Sequence, residues 1–505
     1  MKKLFGVLDH TVFWITAAIV LVLAVLGIVI PEGFESALAF LQNWISQSFG
    51  WFYLLLVAVL IGFSIWVGFS KLGSLKLGSL DDKPEYSTFA WISMLFSAGI
   101  GVGFIFWGVA EPLWHYMQTP YLAAPGTPEA APVALQISVL HWGLHGWAVY
   151  VVVGLAIAYP AFRYGKPLTV GWSLYGLMGD RVQTSPWRKV IDIFAVIATV
   201  AGISTTLGMG VISFSYGLKH LFGVTSTPAI SALILLVIIA AYILSAVSGI
   251  KRGIKYLSML NVWLGIGVCA FILLFGPTRR LLDMTVTTIG NYLQNFLFMS
   301  FWSDPVKQSG WLGWWTVFYW AWWIAWGPFV GGFVARISKG RTLREYVGGV
   351  LLIPMVMTII WFGIVGGASL DAEMTGKVAL WEAIQADEGA GIYMLLSTMP
   401  LAKIMSFVVF VNMFFFIVTS ADSASFFVAM LMQKGELEPK ILTKLTWGIL
   451  IGVLAIVLLF SGGLNALKTV SVVGALPFAF VTILMMISLI RMLLKDKGGS
   501  KQKQM

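Results

Sequence analysis

The sequence predicts an all-α membrane protein of twelve transmembrane helices, and three observations predict it. The 505-residue chain is 59% hydrophobic and only 11% charged, with a mean hydropathy of +0.89. Soluble domains carry roughly 25% charged residues, so this chain cannot cover the surface of a globule of its length. Its apolar residues fall in runs of about 20 or more, the length that crosses a bilayer as a helix, and these runs are too long and too uniform for the alternating strands of a β-barrel. Its basic residues gather between alternate runs. Cys269 is the only cysteine, which excludes a disulfide scaffold, and the 14% aromatic content excludes disorder.

The spans read, in order, 11–30, 51–70, 90–110, 136–160, 190–215, 229–249, 255–276, 311–336, 345–369, 402–431, 442–461 and 466–493. Span one follows Lys2 and Lys3, as a signal peptide would, with the small-residue triplet Ala37-Leu38-Ala39 beyond it. Its apolar run is too long for a signal-peptide core, so it stays a membrane helix. With the N-terminus placed inside, 25 of the 32 Lys and Arg residues fall in inside loops. Seven fall outside: Lys219, Arg279, Arg280, Lys307, Lys377, Lys403 and Lys468. The bias puts both termini in the cytoplasm and supports an even number of spans. The net charge of +10 is therefore a topology signal and does not indicate a nucleic-acid partner. The acidic loop 370–401 faces out. Residues 280–298 mix apolar and polar positions at helical spacing, with Asp283 and Asn291 poor neighbours for lipid, and read as an amphipathic helix on the outer interface.

Three places within the spans carry unusual chemistry. In span three, Gly99, Gly101 and Gly103 alternate with Ile100 and Val102. Each glycine weakens a helix by about 1 kcal/mol relative to alanine. Unwound backbone at membrane depth is tolerated only where it lines a cavity, and its freed carbonyls suit a cation. Close helix packing through Gly99 and Gly103 is the competing reading, and Gly265-Ile266-Gly267-Val268 repeats the tetrapeptide in span seven. Span eight holds seven of the chain's 23 tryptophans: Trp311, Trp314, Trp315, Trp320, Trp322, Trp323 and Trp326. The first three fit an interfacial belt. The others lie roughly 14–22 Å deeper. On span four, Trp142, Trp147 and Tyr150 fall within a sector of about 140° on a continuous helix. Aromatic faces turned inward attract a quaternary ammonium, by about 2 kcal/mol per ring when desolvated; core packing is the alternative for any single ring. In span ten, Thr419, Ser420, Ser423 and Ser425 supply hydroxyls and Asp422 a carboxylate. An intramembrane carboxylate is a functional candidate, and hydroxyl with carbonyl oxygen suits Na⁺. Back-bonding of the hydroxyls to their own helix, and a capped structural role for Asp422, compete with that reading. His141 and His145 stand four apart, but no HExxH or cysteine accompanies them, and a metal site there is not expected. No P-loop, dinucleotide fingerprint or nucleophile elbow is present, so ATP-driven transport by this chain alone is not expected.

The chain resembles the betaine–choline–carnitine transporters from about residue 8 to about 493. The matching stretches are MLFSAGIGVGFIFWGVAEP at 94–112, HWGLHGWAVY at 141–150, WTVFYWAWWIAWGPFVGGFVARISKGRTLRE at 315–345 and TSADSAS at 419–425. The resemblance implies a single polytopic transporter domain, 1–505, with LeuT-like inverted five-helix repeats. Two N-terminal helices (11–70) precede a first repeat (90–276). The interfacial helix 280–298, a second repeat (311–493) and a short cytoplasmic tail (494–505) follow. It also implies a homotrimer in a bacterial cytoplasmic membrane. By position, Trp142, Trp147, Tyr150 and Trp323 match the family's aromatic box, and Trp326 matches a second aromatic site. Ala98, Gly99, Ile100 and Gly101 match the unwound backbone beside the substrate carboxylate. For Na⁺ the match points to the carbonyls of Ser97, Ile100 and Phe416 and the hydroxyls of Thr419 and Ser420. A second ion would use Thr199 and Phe329, but Ile203 replaces a hydroxyl found one turn later in some members, leaving Ser204 or Thr206 to substitute. Proton-coupled choline carriers of the family often bear an acidic residue where this chain has Gly103. Sodium-independent carnitine exchangers place an arginine where it has Asn261.

The expected function is Na⁺-coupled import of glycine betaine or a related trimethylammonium or zwitterionic solute for osmoprotection, with no cofactor beyond the coupling ion and no enzymatic activity. Proton-coupled choline transport and carnitine or ectoine transport are the alternatives within the family. A channel and a membrane-embedded enzyme using Asp422 with His141 and His145 are those outside it. A zwitterion carries no net charge, so the membrane potential does not concentrate it unaided. One co-moving Na⁺ supplies about 2.3 kcal/mol per 100 mV, roughly fifty-fold in concentration.

Overall fold

The computed structural model describes residues 7–248 and 253–502. Among these residues the regular structure is helical, and the one isolated β-bridge joins Lys76 to Thr342. The chain is an all-α membrane protein. Helix α1 (His10–Val29) starts on Asp9, whose carboxylate caps Val12 N–H at 3.5 Å. Helix α2 (Pro31–Phe69) begins twenty residues before the expected span. Its first half carries Glu32, Glu35, Gln42, Asn43 and Gln47, which lower the local hydropathy without breaking the helix, and it still buries Phe34, Leu38 and Ile45.

Span three is broken. Helices α3 (Thr88–Ile100) and α4 (Gly103–Met117) meet at 58°. Gly101 between them has φ +58° and ψ −156°, a conformation open to glycine and costly for any residue with a Cβ. Span four divides into α5 (Ala130–Trp142) and α6 (Leu144–Tyr164) at Gly143. Then come α7 (Pro186–Phe222), α8 (Pro228–Ser248), α9 (Gly253–Phe275), α10 (Thr278–Phe301) and α11 (Phe318–Ile337). Helix α7 is capped by Ser185 and stopped by Gly223 at φ +71°. Helix α10 covers the expected amphipathic stretch. It presents Leu281, Thr288 and Tyr292 to the protein, leaves Asp283 exposed, and lies against α5, where Asn295 donates to Gln136 at 3.1 Å.

The remaining long helices are α12 (Leu343–Met374), α13 (Ala402–Met432) and α14 (Ile441–Gln502). Helix α14 is non-helical at Gly462 and Gly463, so expected spans eleven and twelve are its two arms. Nine helices among the described residues are long and apolar enough to cross a membrane, or ten with the bent pair counted as one span. The expected twelve exceed this by tryptophan-rich α11 and by the second arm of α14. Lys2, Lys3, Lys251, Arg252 and Lys503, which entered the orientation reading, lie outside the described residues.

One face gathers the two ends of the described chain. Asp9 N–H bonds Met432 O at 2.8 Å and its carboxylate pairs with Arg188 at 3.1 Å. Asp496 accepts from Tyr159 and Tyr164 at 2.7 Å and from Arg163 at 3.1 Å. The same face ties the broken span to α11. Residues 75–77 pair with 340–343 through Leu77 N–H to Arg341 O and Leu343 N–H to Leu75 O, both 2.8 Å. The buried Arg341 guanidinium lies 4.1 Å from the Trp91 ring and donates to Tyr86 O at 3.0 Å. Trp91 Nε1 donates to Ser338 Oγ at 2.9 Å. Arg341→Ala removes a buried cation–π contact and a charged hydrogen bond, worth about 2 kcal/mol or more. The thermal midpoint of the purified protein in detergent should fall, and an unchanged midpoint refutes the role.

Candidate functional site

The aromatic residues of spans four and eight converge. A narrow cavity of about 10 Å³ is lined by Gly99, Ile100, Trp142, Tyr150, Trp322, Trp323 and Trp326, the four tryptophans and Tyr150 all buried. Ring centroids lie 5.8 Å apart for Trp142–Trp323, 5.8 Å for Trp147–Trp323, 5.1 Å for Tyr150–Trp323 and 5.4 Å for Trp147–Tyr150. The route to this convergence differs from the expected single helical face. Gly143 interrupts the helix, so Trp142 ends one helix while Trp147 and Tyr150 belong to the next. At the interruption the carbonyls of His141 and Trp142 accept from Trp323 Nε1 (2.9 Å) and Thr358 Oγ1 (3.0 Å). The Trp323 indole lies flat on Gly146, where a Cβ would stand 2.2 Å from the ring.

The broken span closes the cavity on another side. Tyr150 OH donates to Gly99 O at 3.1 Å, giving the carbonyl at the break a partner from the aromatic wall. A Cβ at Gly99 would stand 2.8 Å from Trp147, and one at Gly103 would stand 2.6 Å from Trp322 and 3.1 Å from Trp142. All three glycines of the triplet therefore serve close approach to tryptophan, and Gly101 also turns the chain. Ala98 is buried one position before the cavity lining. Trp326 lines the same cavity as Trp323, and its ring is 5.0 Å from Phe329.

A second polar group sits beside the break. Ser97 Oγ and Thr419 Oγ1 are 3.3 Å apart, and Asn261 Nδ2 reaches them at 3.1 and 3.3 Å. Thr419 also donates to the carbonyls of Phe415 (2.9 Å) and Phe416 (3.1 Å). Ser420 Oγ is buried without a hydrogen-bond partner, 3.0 Å from where a Cβ on Gly101 would stand. Asn261 Oδ1 is likewise buried and unpartnered. Hydroxyl oxygens, a backbone carbonyl and orphaned oxygens form a donor set that suits a hard monovalent cation. Elsewhere the hydroxyls serve structure. Thr199 donates to Ala195 O at 2.8 Å, Ser423 to Thr419 O at 2.7 Å and Ser425 to Asp422 O at 3.0 Å. Ser204 turns away to Ile451 O, whereas the Thr206 methyl faces Gly101. Asp422 accepts from Ser245 on α8 at 2.5 Å.

Sequence reasoning passed over Glu111. It is fully buried in α4 and gathers four side chains. Its Oε1 bonds His141 Nδ1 at 2.7 Å and His115 Nε2 at 3.1 Å, and its Oε2 accepts from Trp142 Nε1 at 2.7 Å and from Tyr319 OH. Glu111, His115 and His141 offer ligand atoms within 4.8 Å of one another, but each is already engaged in this hydrogen-bonded cluster. His145 does not pair with His141; it bonds Ser300 at 2.9 Å and stacks on Trp320. The signal that could have found Glu111 was the carboxylate itself, in an apolar span with a histidine four residues on.

An aromatic cage at a broken membrane helix, beside a buried set of hydroxyl and amide oxygens, suits the working part of a solute carrier. The chain belongs to the betaine/carnitine/choline family of transporters, whose sequence profile matches residues 11–498. It is 40% identical over 497 residues to the glycine betaine transporter OpuD of Bacillus subtilis (strain 168), covering 98% of this chain and 96% of that protein. It is 39% identical over 498 residues to the ectoine/hydroxyectoine transporter of Virgibacillus pantothenticus, covering 98% of each. With the osmo-dependent choline transporter BetT2 of Acinetobacter baylyi (strain ATCC 33305 / BD413 / ADP1) it shares 37% identity over 494 residues, 96% of this chain and 71% of that protein. The protein is a transporter of betaine-type solutes and not an enzyme.

Glu111→Ala takes the carboxylate acceptor from Tyr319 OH and leaves Trp142 Nε1 only its longer contact, to Tyr319 OH at 3.3 Å. Affinity for a trimethylammonium solute should fall about five- to thirty-fold, the worth of one cage ring. If Glu111 acts through Trp142, Glu111→Ala/Trp142→Leu should be no weaker than Trp142→Leu alone. Fully additive losses in equilibrium binding refute that.

Proposed function

We propose that the protein is a Na⁺-coupled symporter that imports glycine betaine, or a close zwitterionic relative, for osmoprotection. The observation that carries the reading is the joining of the aromatic cavity to the oxygen set through residues 97–101. Trp142, Tyr150, Trp322, Trp323 and Trp326 offer faces to a trimethylammonium group, and the helix end at Gly99 and Ile100, before the turn at Gly101, lies at the same cavity for the carboxylate. Ser97, Thr419 and Ser420 stand on the other side of that segment for Na⁺, with Asn261 as an added neighbour. A glycine betaine transporter among the relatives supports the choice of solute. Both termini in the cytoplasm, an inner-membrane location, two inverted repeats, the placement of 280–298 at the outer interface and a homotrimer belong to the same reading. The reading does not rest on a second ion at Thr199 and Phe329.

The deciding experiment is competitive uptake of labelled glycine betaine, proline betaine, ectoine, carnitine and choline into proteoliposomes, with and without an inward Na⁺ gradient. The reading expects Na⁺-dependent accumulation of glycine betaine. Equal uptake in both conditions, or accumulation of choline driven by a proton gradient, overturns it.

Two substitutions test the parts. Trp323→Leu keeps bulk but removes an aromatic face, and affinity should fall by about 1–2 kcal/mol, roughly 5- to 30-fold. Unchanged affinity in a folded variant removes Trp323 from the site. Thr419→Ala/Ser420→Ala deletes two oxygens facing the proposed ion. The Na⁺ concentration for half-maximal uptake should rise roughly ten- to a hundred-fold, from the worth of hydrogen bonds to charged groups, with less effect on solute affinity at saturating Na⁺. Wild-type Na⁺ dependence places the ion elsewhere.

A further inference from the structure

A second cavity, of about 380 Å³, lies on the face opposite Asp9 and Asp496. Trp107, Trp114, Trp311, Trp315, Glu388 and Lys468 are among its walls. Lys468 is only 6% exposed. Its ammonium lies 4.5 Å from the Phe318 ring centroid, 4.8 Å from Trp315 and 5.6 Å from both Trp107 and Trp314. It makes one hydrogen bond, to Trp314 O at 3.1 Å, out of the three an ammonium can donate. Glu388 stands in the same cavity, and no ion pair joins it to Lys468, although each attracts the other. The indole N–H groups of Trp107 and Trp311 are buried without an acceptor.

This cavity adjoins the aromatic cage. Phe318 carries the ammonium on one side and stacks on Trp322 at 5.5 Å and 16°, and Trp322 lines the central cavity. Lys468 thus stands two ring contacts, Phe318 and Trp322, from the cage.

We propose that Lys468 and Glu388 form a charge filter at the outer mouth, with Lys468 the residue that favours zwitterions over simple cations. The inference rests on the reading above for direction, since the orientation drawn from the basic residues puts Lys468 outside. A quaternary cation approaching these rings finds their faces already occupied by a tethered ammonium, which also repels it. A zwitterion brings a carboxylate, which finds the ammonium, while Glu388 attracts its cationic end. Opposite charges held apart in one cavity match the charge separation of a betaine and match neither choline nor a simple anion. Both residues act on the approaching solute.

The test compares wild type, Lys468→Gln, Lys468→Arg and Glu388→Gln in proteoliposomes, with labelled glycine betaine as solute and unlabelled choline as competitor. Lys468→Gln should raise the KM for glycine betaine about five-fold with little change in kcat, and should lower the choline concentration for half-inhibition by a similar factor. Lys468→Arg keeps the charge and should stay near wild type. Glu388→Gln should move choline the other way, weakening its inhibition. A merely structural loss does not shift the competitor in opposite directions at the two positions. An unchanged ratio of glycine betaine KM to choline inhibition in both Gln variants overturns the filter, and Glu388→Gln decides alone if Lys468→Gln does not fold. The outcome separates from that of the functional reading. A wild type that accumulates another zwitterion overturns glycine betaine as solute, and the same ratio measured with that zwitterion still decides the filter. A wild type that accumulates choline overturns both.

Discussion

A peptide group that leaves a helix inside a bilayer has no water to bond, so any break in a membrane helix must be repaid by the protein around it. The break at Gly101 shows how this is done here. Gly99 O receives the Tyr150 hydroxyl, Trp147 and Trp322 lie against glycines too small to keep them away, and Ser420 comes up beside Gly101. The interruption at Gly143 is met the same way, by Trp323 and Thr358. In both places the donor is a side chain from another helix. The interruptions therefore lock α3, α5, α6, α11 and α12 into one arrangement, and the groups that repair the backbone are largely the groups that form the cage.

The cage is held by its polar edges as much as by packing. Trp142 is fixed by Glu111 and Trp323 by His141 O. Each indole spends its one N–H on protein and leaves its face to the cavity. Glu111 binds α4, α5 and α11 through a buried carboxylate, a costly group to bury without partners. Its four neighbours offset that cost. Such a network specifies geometry closely, because losing any partner exposes the others to the full penalty.

Much of this was legible in the sequence, for identifiable reasons. Apolar runs located the helices because bilayer thickness sets their length. They misplaced the start of α2, where polar residues ride on a continuing helix. The glycine triplet announced the break in span three, since three glycines in five residues are hard to reconcile with a stable helix. The lone Gly143 announced nothing. Trp142, Trp147, Tyr150 and Trp323 do come into ring contact, with Trp147 outside the cavity lining, although the single-face argument for the first three assumed a helix that does not exist. Glu111 and Lys468 were missed as site groups for opposite reasons. The weight given to Asp422 as an intramembrane carboxylate was not extended to Glu111, and Lys468 was counted only as a charge outside the membrane. What their side chains meet comes from distant segments, Tyr319 for one and Trp107 with Trp314 for the other, and no local pattern encodes such meetings.

The shared segment also frames how the proposed solute and ion would depend on each other. Residues 97–101 face the aromatic cavity through Gly99 and Ile100 and the oxygen set through Ser97. Whatever orders this stretch for one ligand orders it for the other. If the cation draws Ser97, Thr419 and Ser420 together, the backbone at Gly99–Gly101 is fixed before the solute arrives, and the ordering cost is shared between two binding events. Linkage then requires the solute to raise affinity for the ion by the same factor. Gly101 matters doubly in this scheme. Its positive φ is the hinge that lets one short stretch present different atoms to two sites. Any other residue would strain that turn and bring a Cβ to within 2.8 Å of Trp326 and 3.0 Å of Ser420, disturbing both sites at once.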